Sequence, residues 1–404
     1  MNTLVQKRIV LGITGSIAAY KSAELVRMFR QQGADVRVVM TPAACEFITP
    51  LTMQALSGNP VHLELLSVES ESAMSHIELA RWCDIVIVAP ASADFLARLA
   101  HGRADDLLTT LCLATTSPVV VAPAMNQQMW LNVATRENIK ILQQRDIKMI
   151  GPDTGQQACG ETGPGRMVDP ELLLQGVAES FKSNLLTNLH LLITAGPTRE
   201  AIDPVRYISN RSSGRMGYAI ARAAIEADAQ VTLVSGPSVL LPPDHVNLVA
   251  VQTAAQMRDA VMANIDNVNI MIAAAAVADY RSASKTAKKI KKSGDNLSLI
   301  LEKTPDILAE VSCLDSPPFT VGFAAETEDL NDNAIKKLSE KRLDMIAANL
   351  VGDNLGFDKD ENELSIFWQG GNIHLQKTSK EKLARQLIGI IAERYSGKKP
   401  VHLH

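Results

Sequence analysis

An asparagine lies directly after an apolar run that is typical of a buried strand. Residues 118–130 read PVVVAPAMNQQMW, which places Asn126 between Met125 and Met129. In open α/β sheets, ligands bind beyond the carboxyl ends of the strands. We therefore interpret this stretch as part of a binding site rather than as a plain connection.

Two other residues have side chains that can transfer protons. His76 lies in MSHIELARWCD (74–84), and Cys159 lies in the Gly/Pro-rich stretch ACGETGPGRM (158–167). Each has an ordinary explanation when taken alone, because a histidine at a helix start is usually a cap and a loop cysteine is usually incidental. A thiol with an unperturbed pKa of about 8.5 stays mostly protonated near neutrality, as a proton donor must.

The segment TGSIAAYK (14–21) places Gly15, Ser16 and Ile17 at a strand-to-helix junction. Backbone N–H groups and the helix dipole at such a junction suit an anion such as phosphate, although a tight turn is the ordinary alternative. The spacing is not GxGxxG, and Thr41 rather than an acidic residue ends the second strand, so a mononucleotide phosphate fits better than a dinucleotide. Ser92, in PASADFLARLAHGRADD (90–106), follows another strand at a further ligand-facing edge.

A comparable junction occurs in the second half of the chain. AGPTREAIDPVRYISNRSSGRMG (195–217) is a long loop with two glycines at the start of a helix, which is typical of phosphate binding. An NAD(P) site is the alternative, but the dinucleotide glycine spacing is absent and the next strand ends in Ser235-Gly236-Pro237. KKIKK (288–292) is a basic run, usually a solvated loop, and Lys337 and Lys341 are spaced to share one helix face.

Strands alternate with helices along the chain, which predicts parallel α/β sheets. In the first half we predict strands over 8–14, 35–41, 84–92, 118–126 and 148–153, and helices over 16–33, 94–101, 105–116 and 133–145. In the second half we predict strands over 190–198, 229–237, 269–277, 296–303, 319–326 and 343–350, a hairpin over 363–376 that turns at Gly370-Gly371, and helices over 212–228 and 379–395. The predicted fold class is α/β, with two Rossmann-like domains, each a mainly parallel sheet flanked by helices, the second with an added β-hairpin.

The two halves open alike, since HLLITAGPT resembles RIVLGITGS. We therefore predict one domain over 1–188 and a second over 189–404. The second half differs by an insertion, REAIDPVRYISN (199–210), between strand and helix. It also has Asp228 where Gly33 ends the first helix, and Asp does visit the left-handed conformation.

The composition is that of a globular protein that does not bind membranes or nucleic acids. Of 404 residues, 46% are hydrophobic and 21% are charged, and the net charge of −4 gives no global basic field. We find no membrane span or signal peptide and expect a cytoplasmic protein.

The five cysteines form no CxxC motif, so neither disulfides nor a zinc site is expected. Four of them are predicted to be buried apolar residues: Cys45, Cys83, Cys112 and Cys313.

The quoted segments resemble known families. PAMNQQMW matches every fixed position of the PxMNxxMW motif of the homo-oligomeric flavin-containing cysteine decarboxylases, and the His76 and Cys159 segments occur in the same order as in those proteins. In the second half, the segments AGPTREAIDPVRYISNRSSGRMG, AAAAVADY (273–280), KKIKK, TPDIL (304–308), GFAAET (322–327) and KKLSEKRLD (336–344) resemble a CTP-dependent ligase domain. Over essentially its whole length the chain resembles the bifunctional phosphopantothenoylcysteine decarboxylase/phosphopantothenate–cysteine ligases of coenzyme A biosynthesis.

For the first domain the resemblance implies FMN-dependent decarboxylation of phosphopantothenoylcysteine to 4′-phosphopantetheine. The substrate is oxidised at the carbon that bears sulfur, with FMN as hydride acceptor, so that CO₂ can leave from a thioaldehyde. The resemblance implies that Asn126 binds the substrate carboxylate, that His76 is an acid/base and that Cys159 donates a proton to the ene-thiolate. The implied FMN-binding residues are Gly15, Ser16, Ile17, Thr41, Ser92 and Met125.

For the second domain the resemblance implies that CTP, with Mg²⁺, activates 4′-phosphopantothenate as an acyl-cytidylate that the amine of cysteine then attacks. The implied CTP-binding residues are Ala273, Ala274, Ala275, Asp279, Lys289, Pro305, Asp306, Ile307, Leu308, Phe323, Lys337 and Lys341. Lys289 is the candidate catalytic lysine, with Lys288 as the alternative, and Asp279 is a possible metal ligand. Arg206 and Asn210 are candidates for binding and turnover of the intermediate.

The resemblance also implies an assembly. Trimers of the flavin domain joined by dimers of the ligase domain would give a homo-dodecamer, and the inserted loop would lie at the ligase dimer contact.

Two other classes of function remain as alternatives: an FMN- or NAD(P)-dependent oxidoreductase without net decarboxylation, and a non-catalytic flavin-binding regulatory subunit. The combination of His76, Asn126 and Cys159 argues against both.

Overall fold

The chain forms two compact units, Met1–Phe181 and Lys182–His404. The computed structural model describes residues 4–65, 75–284, 286–291, 297–326, 328–350 and 361–398. Several residues of the motifs and predicted elements given above lie outside these ranges: Met74, Lys292, Asn296 and Thr327. The assignment of one function to each side of residue 188 stays a prediction.

Unit 1 is built on a six-stranded sheet in the order β3-β2-β1-β4-β5-β6, in which every neighbouring pair is parallel. Its strands are β1 (Arg8–Ile13), β2 (Asp35–Met40), β3 (Val61–His62), β4 (Ile85–Ala91), β5 (Val119–Pro123), β6 (Lys148–Met149), β7 (Asp153–Gln156) and β8 (Thr162–Arg166). Its helices are α1 (Ala19–Gln31), α2 (Pro42–Cys45), α3 (Pro50–Ser57), α4 (Ser75–Trp82), α5 (Ala93–Ala100), α6 (Leu107–Ala114), α7 (Gln127–Leu131), α8 (Val133–Gln144) and α9 (Pro170–Glu179). This strand order confirms the predicted Rossmann-like architecture.

The alternation of side chains along β1 explains how the sheet is covered on both faces. Ile9, Leu11 and Ile13 are buried in the cluster that contains the apolar face of α1. Val10 points to the opposite face and is buried with residues of α5 and α6. A strand that buries both faces reads as one continuous apolar run, as RIVLGI does.

Unit 2 contains an eight-stranded sheet in the order β13-β12-β9-β14-β17-β18-β19-β20. Its strands are β9 (His190–Ala195), β10 (Arg199–Ala201), β11 (Tyr207–Ser209), β12 (Gln230–Ser235), β13 (Val246–Ala250), β14 (Ile270–Ala273), β15 (Tyr280–Ser282), β16 (Leu301–Lys303), β17 (Phe319–Glu326), β18 (Met345–Leu350), β19 (Glu361–Trp368) and β20 (Gly371–Ser379). Its helices are α10 (Arg215–Glu226), α11 (Ala254–Asn264), α12 (Ile307–Ser312), α13 (Leu330–Glu340) and α14 (Lys380–Lys398). The pairs from β13 to β18 are parallel and the last two are antiparallel, which confirms the added hairpin.

Several predicted elements differ from the observed ones. The strands predicted over 148–153 and 269–277 are shortened to β6 and β14. The predicted strand over 296–303 is reduced to β16, which pairs with β15 outside the main sheet. The hairpin turns at Gln369-Gly370, because Gly371 already pairs with Trp368. The stretch around Cys159, predicted as a loop, includes the antiparallel hairpin β7–β8. The apolar pattern of a short segment does not reveal which strand it will pair with, which explains the difference over 296–303.

The ends of the matching helices α1 and α10 follow the prediction. Gly33 has φ of 83° and Asp228 has φ of 66°, so each of the two helices is followed by a residue in the left-handed conformation. Cys83 is buried as predicted, whereas Cys45 and Cys112 are only partly buried. The prediction for Cys313 is wrong, since it follows the last turn of the short helix α12 and is exposed. No helix in the described ranges combines the length and the apolar character needed to cross a bilayer.

Candidate functional site

In unit 1 the residues predicted to bind FMN follow the carboxyl ends of four adjacent strands. Gly15, Ser16 and Ile17 follow β1, Thr41 follows β2, Ser92 follows β4 and Met125 comes shortly after β5. The strand order reverses direction between β1 and β4, which is the crevice where open α/β sheets bind ligands. The structure therefore gathers these six residues at one edge of the sheet.

Thr14 links two of these strand ends. Its Oγ1 donates a hydrogen bond to the carbonyl oxygen of Pro90 at 2.8 Å and accepts one from the N–H of Ser92 at 2.9 Å. Ser92 in turn caps α5 by accepting from the N–H of Phe95. A Cβ added at Gly15 would lie 2.6 Å from the Cβ of Ala43, so only glycine permits the observed approach of the two loops.

The β7–β8 hairpin, which we call the flap, approaches the residues that follow β5. The N–H of Met125 donates to the carbonyl oxygen of Gly165 at 2.9 Å. At the end of the flap, the buried Lys21 ammonium donates to Met167 O at 3.0 Å and to Asp169 Oδ1 at 2.7 Å. The flap is thus attached along its second strand, while Cys159, between the two strands, is exposed.

Asn126 is the centre of the contacts between the flap and the strand end. Its Oδ1 accepts from the N–H of Gln128 at 2.8 Å and so caps α7. Its Nδ2 lies 2.9 Å from Glu161 Oε2, 3.3 Å from Gln157 Oε1 and 3.5 Å from Cys159 Sγ. The cap fixes the orientation of the amide, so the donor side of Asn126 faces the flap.

Glu161 contributes a carboxylate that sequence reasoning did not select. Hydrogen bonds donated by the side chains of Asn126 and Gln127 stabilise its charged form and lower its pKa. Its position two residues after Cys159, in a Gly/Pro-rich closing segment, was an available signal. The cluster combines a fixed amide donor, a thiol and a carboxylate at the mouth of the crevice.

His76 lies on α4 and is half-buried. Its Nδ1 is buried and has no hydrogen-bond partner among the described residues. Within those residues no hydrogen bond joins His76 to the Asn126 cluster. Buried polar side-chain atoms usually have a hydrogen-bond partner, so this nitrogen is an exception among the described residues.

In unit 2 a cleft of about 730 Å³ lies at the carboxyl ends of β14 and β17. We call it the first cleft. Ten of the residues predicted to bind CTP line it: Ala273, Ala275, Asp279, Pro305, Asp306, Ile307, Leu308, Phe323, Lys337 and Lys341. Asp306 caps α12 by accepting from the N–H of Ala309, which positions the TPDIL segment along this wall.

A second cleft, of about 530 Å³, has the N-terminal end of α10 on one side. Its lining includes Arg211, Arg215 and Lys380 together with two predicted residues, Ala274 and Asn210. Asn210 donates a hydrogen bond to the carbonyl oxygen of Val277 at 2.9 Å. The basic side chains and the helix terminus suit an anionic group such as a phosphate.

The two clefts share part of their lining. The residues common to both are Ala275, Val277, Asp279, Phe323 and Lys337. We call these five the shared wall; its charged members are Asp279 and Lys337. Ligands bound in the two clefts would therefore meet at this wall.

Lys289 and Arg206 are not among the described residues that line these clefts. Both lie near Asp203, whose Oδ2 accepts from the N–H of Ile290 at 3.2 Å and is 3.6 Å from Arg206 Nη1. Hydrogen bonds from backbone N–H groups, first that of Val205, lower the pKa of Asp203. The inserted loop thus holds the basic segment, and Lys288 and Lys289 are exposed.

Comparisons with known proteins match both units. The Flavoprotein family model matches residues 1–182, and the model described as the DNA/pantothenate metabolism flavoprotein C-terminal domain matches residues 186–395. A protein of Haemophilus influenzae named "Coenzyme A biosynthesis bifunctional protein CoaBC" is 53% identical over 391 residues, which are 96% of this chain and 98% of that protein. The protein of the same name from Escherichia coli K12 is 52% identical over 402 residues, 98% of this chain and 99% of that protein.

A solved structure of the C-terminal domain of a coenzyme A biosynthesis bifunctional protein is 40% identical, with a TM-score of 0.47, and covers 54% of this chain and all of that domain. The chain belongs to the family of coenzyme A biosynthesis bifunctional proteins.

Proposed function

We propose that this chain catalyses two steps of coenzyme A biosynthesis. The C-terminal unit joins 4′-phosphopantothenate to cysteine with CTP, and the N-terminal unit decarboxylates the resulting phosphopantothenoylcysteine to 4′-phosphopantetheine. The observation that carries the proposal is the identity of 53% over nearly the full length of a bifunctional relative. An oxidoreductase or a regulatory subunit is not favoured, since neither accounts for both family models.

In the decarboxylase reaction the residues of unit 1 have separate tasks. Gly15, Ser16, Ile17, Thr41, Ser92 and Met125 are the proposed contacts of FMN, and their grouping at the crevice between β1 and β4 fits a mononucleotide. FMN, when bound, supplies the two-electron oxidation of the substrate and, after CO₂ has left, the matching two-electron reduction that gives the thiol product. The amide of Asn126 binds the substrate carboxylate, and the thiol of Cys159 donates a proton to the ene-thiolate carbon after CO₂ has left. His76 is proposed as an acid/base that receives its partner only in the assembled site.

In the ligase reaction a carboxylate oxygen of 4′-phosphopantothenate attacks the α-phosphorus of CTP. The bond to the bridging oxygen breaks, pyrophosphate leaves with the electron pair, and the amine of cysteine then displaces CMP from the acyl-cytidylate. Both steps develop negative charge on phosphate oxygens, which fixed cations stabilise. Lys337 on the shared wall and Lys341 in the first cleft supply two of these cations.

Mg²⁺ is proposed to bind together with CTP. The described residues contain no group of three or more His, Cys, Asp and Glu side chains arranged to hold a metal ion. Mg²⁺ in nucleotide sites is usually bound by one or two carboxylates together with phosphate oxygens and water. Asp279, on the shared wall, is the proposed protein ligand.

Lys289 and Arg206 are proposed to act between subunits of an assembly. Because they do not line the clefts in the described ranges, we propose that they act on the site of a second subunit. Homo-oligomerisation through unit 2 would then be required for ligation. A dodecamer of flavin-domain trimers and ligase-domain dimers is the proposed assembly.

Mass spectrometry of one mixture tests the proposed function. Purified protein is incubated with 4′-phosphopantothenate, cysteine, CTP, Mg²⁺ and FMN, and the products are identified by mass. CMP together with 4′-phosphopantetheine is the expected result. Phosphopantothenoylcysteine as end product would remove the decarboxylase activity from the proposal, and absence of both products would overturn it.

A further inference from the structure

Glu326 is the last residue of the central strand β17 and makes two side-chain contacts with α13. Its Oε1 lies 2.6 Å from the ammonium of Lys337, and its Oε2 accepts from the side chain of Asn333 at 3.3 Å. The Glu326 side chain is only 13% exposed. A buried carboxylate requires such partners, and here both are on consecutive turns of one helix face.

The contact matters because of where Lys337 lies. Lys337 is the only cation among the five residues of the shared wall in the described part of the chain. Glu326 does not itself line either cleft within those ranges, so it can influence a bound ligand only through a neighbour. The side chain that connects it to both clefts is Lys337.

The neighbouring pair of Lys341 with Asp306 is different. Its two charged atoms are 2.8 Å apart, but the Asp306 side chain is 49% exposed and lies in the first cleft itself. Asp306 is also held at both oxygens, since its Oδ1 caps α12, but it is much more exposed than Glu326. A carboxylate that is largely removed from water has fewer alternative partners, so Glu326 restricts the position of Lys337.

From this geometry we infer that Glu326 is a positioning residue of the ligase site, which holds the Lys337 ammonium where the α-phosphate of the nucleotide meets the carboxylate of the acid. The inference rests on the proposed function. A lysine has four rotatable side-chain bonds, and fixing it before the substrate binds removes an entropic cost from the transition state. A cation that is already in place when charge develops also needs no reorganisation at that moment.

The test compares ligation by the full-length protein and its Glu326→Gln variant. We expect kcat to fall by roughly 10- to 100-fold, as for other losses of positioning, while KM for CTP changes much less because Lys341 still binds the triphosphate. Pyrophosphate release in the absence of cysteine should fall by the same factor, which locates the loss in the first step. Glu326→Asp, which keeps the charge but shortens the side chain, should recover part of the rate.

Two controls separate positioning from a general loss of structure. Glu340→Gln removes the exposed carboxylate that faces Lys336 at 3.9 Å on the same helix, and it should leave ligation unchanged. Decarboxylation of added phosphopantothenoylcysteine should be unaffected in every variant. If Glu326→Gln does not fold, Asn333→Ala, which removes the second partner of the same carboxylate, should lower kcat in the same direction.

A double-variant cycle tests whether Glu326 acts through Lys337. The combination of Glu326→Gln with Lys337→Gln should be no slower than Lys337→Gln alone, because a side chain that is absent cannot be positioned. Additive losses, unchanged kcat in Glu326→Gln, or a rise in KM with unchanged kcat would each overturn the inference. Failure of the wild-type protein to ligate would instead overturn the proposed function.

Discussion

At the scale of single residues, Asn126 has two roles that use opposite ends of its amide. The oxygen caps α7, and the nitrogen faces Glu161, Gln157 and Cys159 on the flap. The cap explains why the amide does not rotate, and the fixed donor explains how a carboxylate could be recognised. The two roles can therefore be separated by substitution.

Asn126→Asp keeps the helix cap, since aspartate caps as well as asparagine, but replaces the donor by a negative charge. We expect decarboxylation to fall by about 100-fold or more, because a substrate carboxylate is then repelled, while ligation stays unchanged. Asn132→Asp makes the same change at the cap of α8 and is the matched control. Rates of 4′-phosphopantetheine formation decide the outcome; equal rates for Asn126→Asp and wild type would remove Asn126 from the site.

The sequence predicts such residues only in part. Asn126 and the glycine at position 15 could be found because they follow strands whose carboxyl ends must meet at one sheet edge. Lys337 is selected by its spacing from Lys341 on one helix face and by the family resemblance. Glu161 and Glu326 are not selected, because their importance depends on which side chains a hairpin or a helix brings to them. Glu326 ends a predicted strand, but nothing local indicates that Lys337, on the following helix, is its partner.

At the scale of elements, the flap depends on the close contact between β8 and the backbone after β5. Gly165 has φ of 124°, and a Cβ at this position would collide with the carbonyl oxygen of Met125. No other residue type fits both the conformation and the space.

Gly165→Ala should therefore detach the flap and move Cys159 away from Asn126. We expect decarboxylation to fall by at least about tenfold with ligation unchanged. Gly160→Ala is the matched control, since Gly160 also has a positive φ, of 86°, but a Cβ there meets no atom within 4 Å. Equal losses in both variants would show that backbone strain, and not the contact with Met125, controls the flap.

The inserted loop of unit 2 is a second element with a specific connection. Asp203 joins β10–β11 to the basic segment through the N–H of Ile290. Its pKa is lowered in the folded protein, so its contribution to stability is complete above the ordinary Asp pKa of about 3.9 and is lost as the pH falls through the lower folded value.

Asp203→Asn should lower the Tm of the unit 2 transition by a constant amount between about pH 5 and 8. The difference from wild type should shrink below about pH 4, where the wild-type carboxylate also becomes protonated. Calorimetry over this pH range measures the difference, with the exposed loop variant Asp244→Asn as control. A difference that grows toward low pH would contradict the assignment.

At the scale of the whole molecule, Rossmann-like sheets in both units put their candidate sites at the carboxyl ends of parallel strands. The parallel direction of the strands could be predicted from the alternation of strands and helices, because parallel strands need crossover connections. The order of the strands was not predicted, and the small pairs β10–β11 and β15–β16 could not be, since three-residue strands carry too little pattern. The β15–β16 pair flanks in sequence the basic segment for which we propose a role in the assembly.

If Lys289 acts on the site of a second subunit, two inactive variants should complement each other. Co-expressed Lys289→Gln and Lys337→Gln chains form mixed dimers in which one of two sites has both lysines, so ligation should return to about one quarter of the wild-type rate. Lys337→Gln mixed with Lys341→Gln, which alters the same cleft twice, should stay inactive. No recovery in the first mixture would place Lys289 in the site of its own chain.

The shared wall between the two clefts also has a consequence for inhibitor design. A compound that joins a cytidine to a pantothenate-like tail through a linker resistant to hydrolysis would occupy both clefts at once. Once one end is bound, the other binds from a high effective concentration, and the gain in affinity over either half is on the order of 100-fold or more. The linker would lie against Lys337, so an anionic linker should bind more tightly than a neutral linker of the same shape.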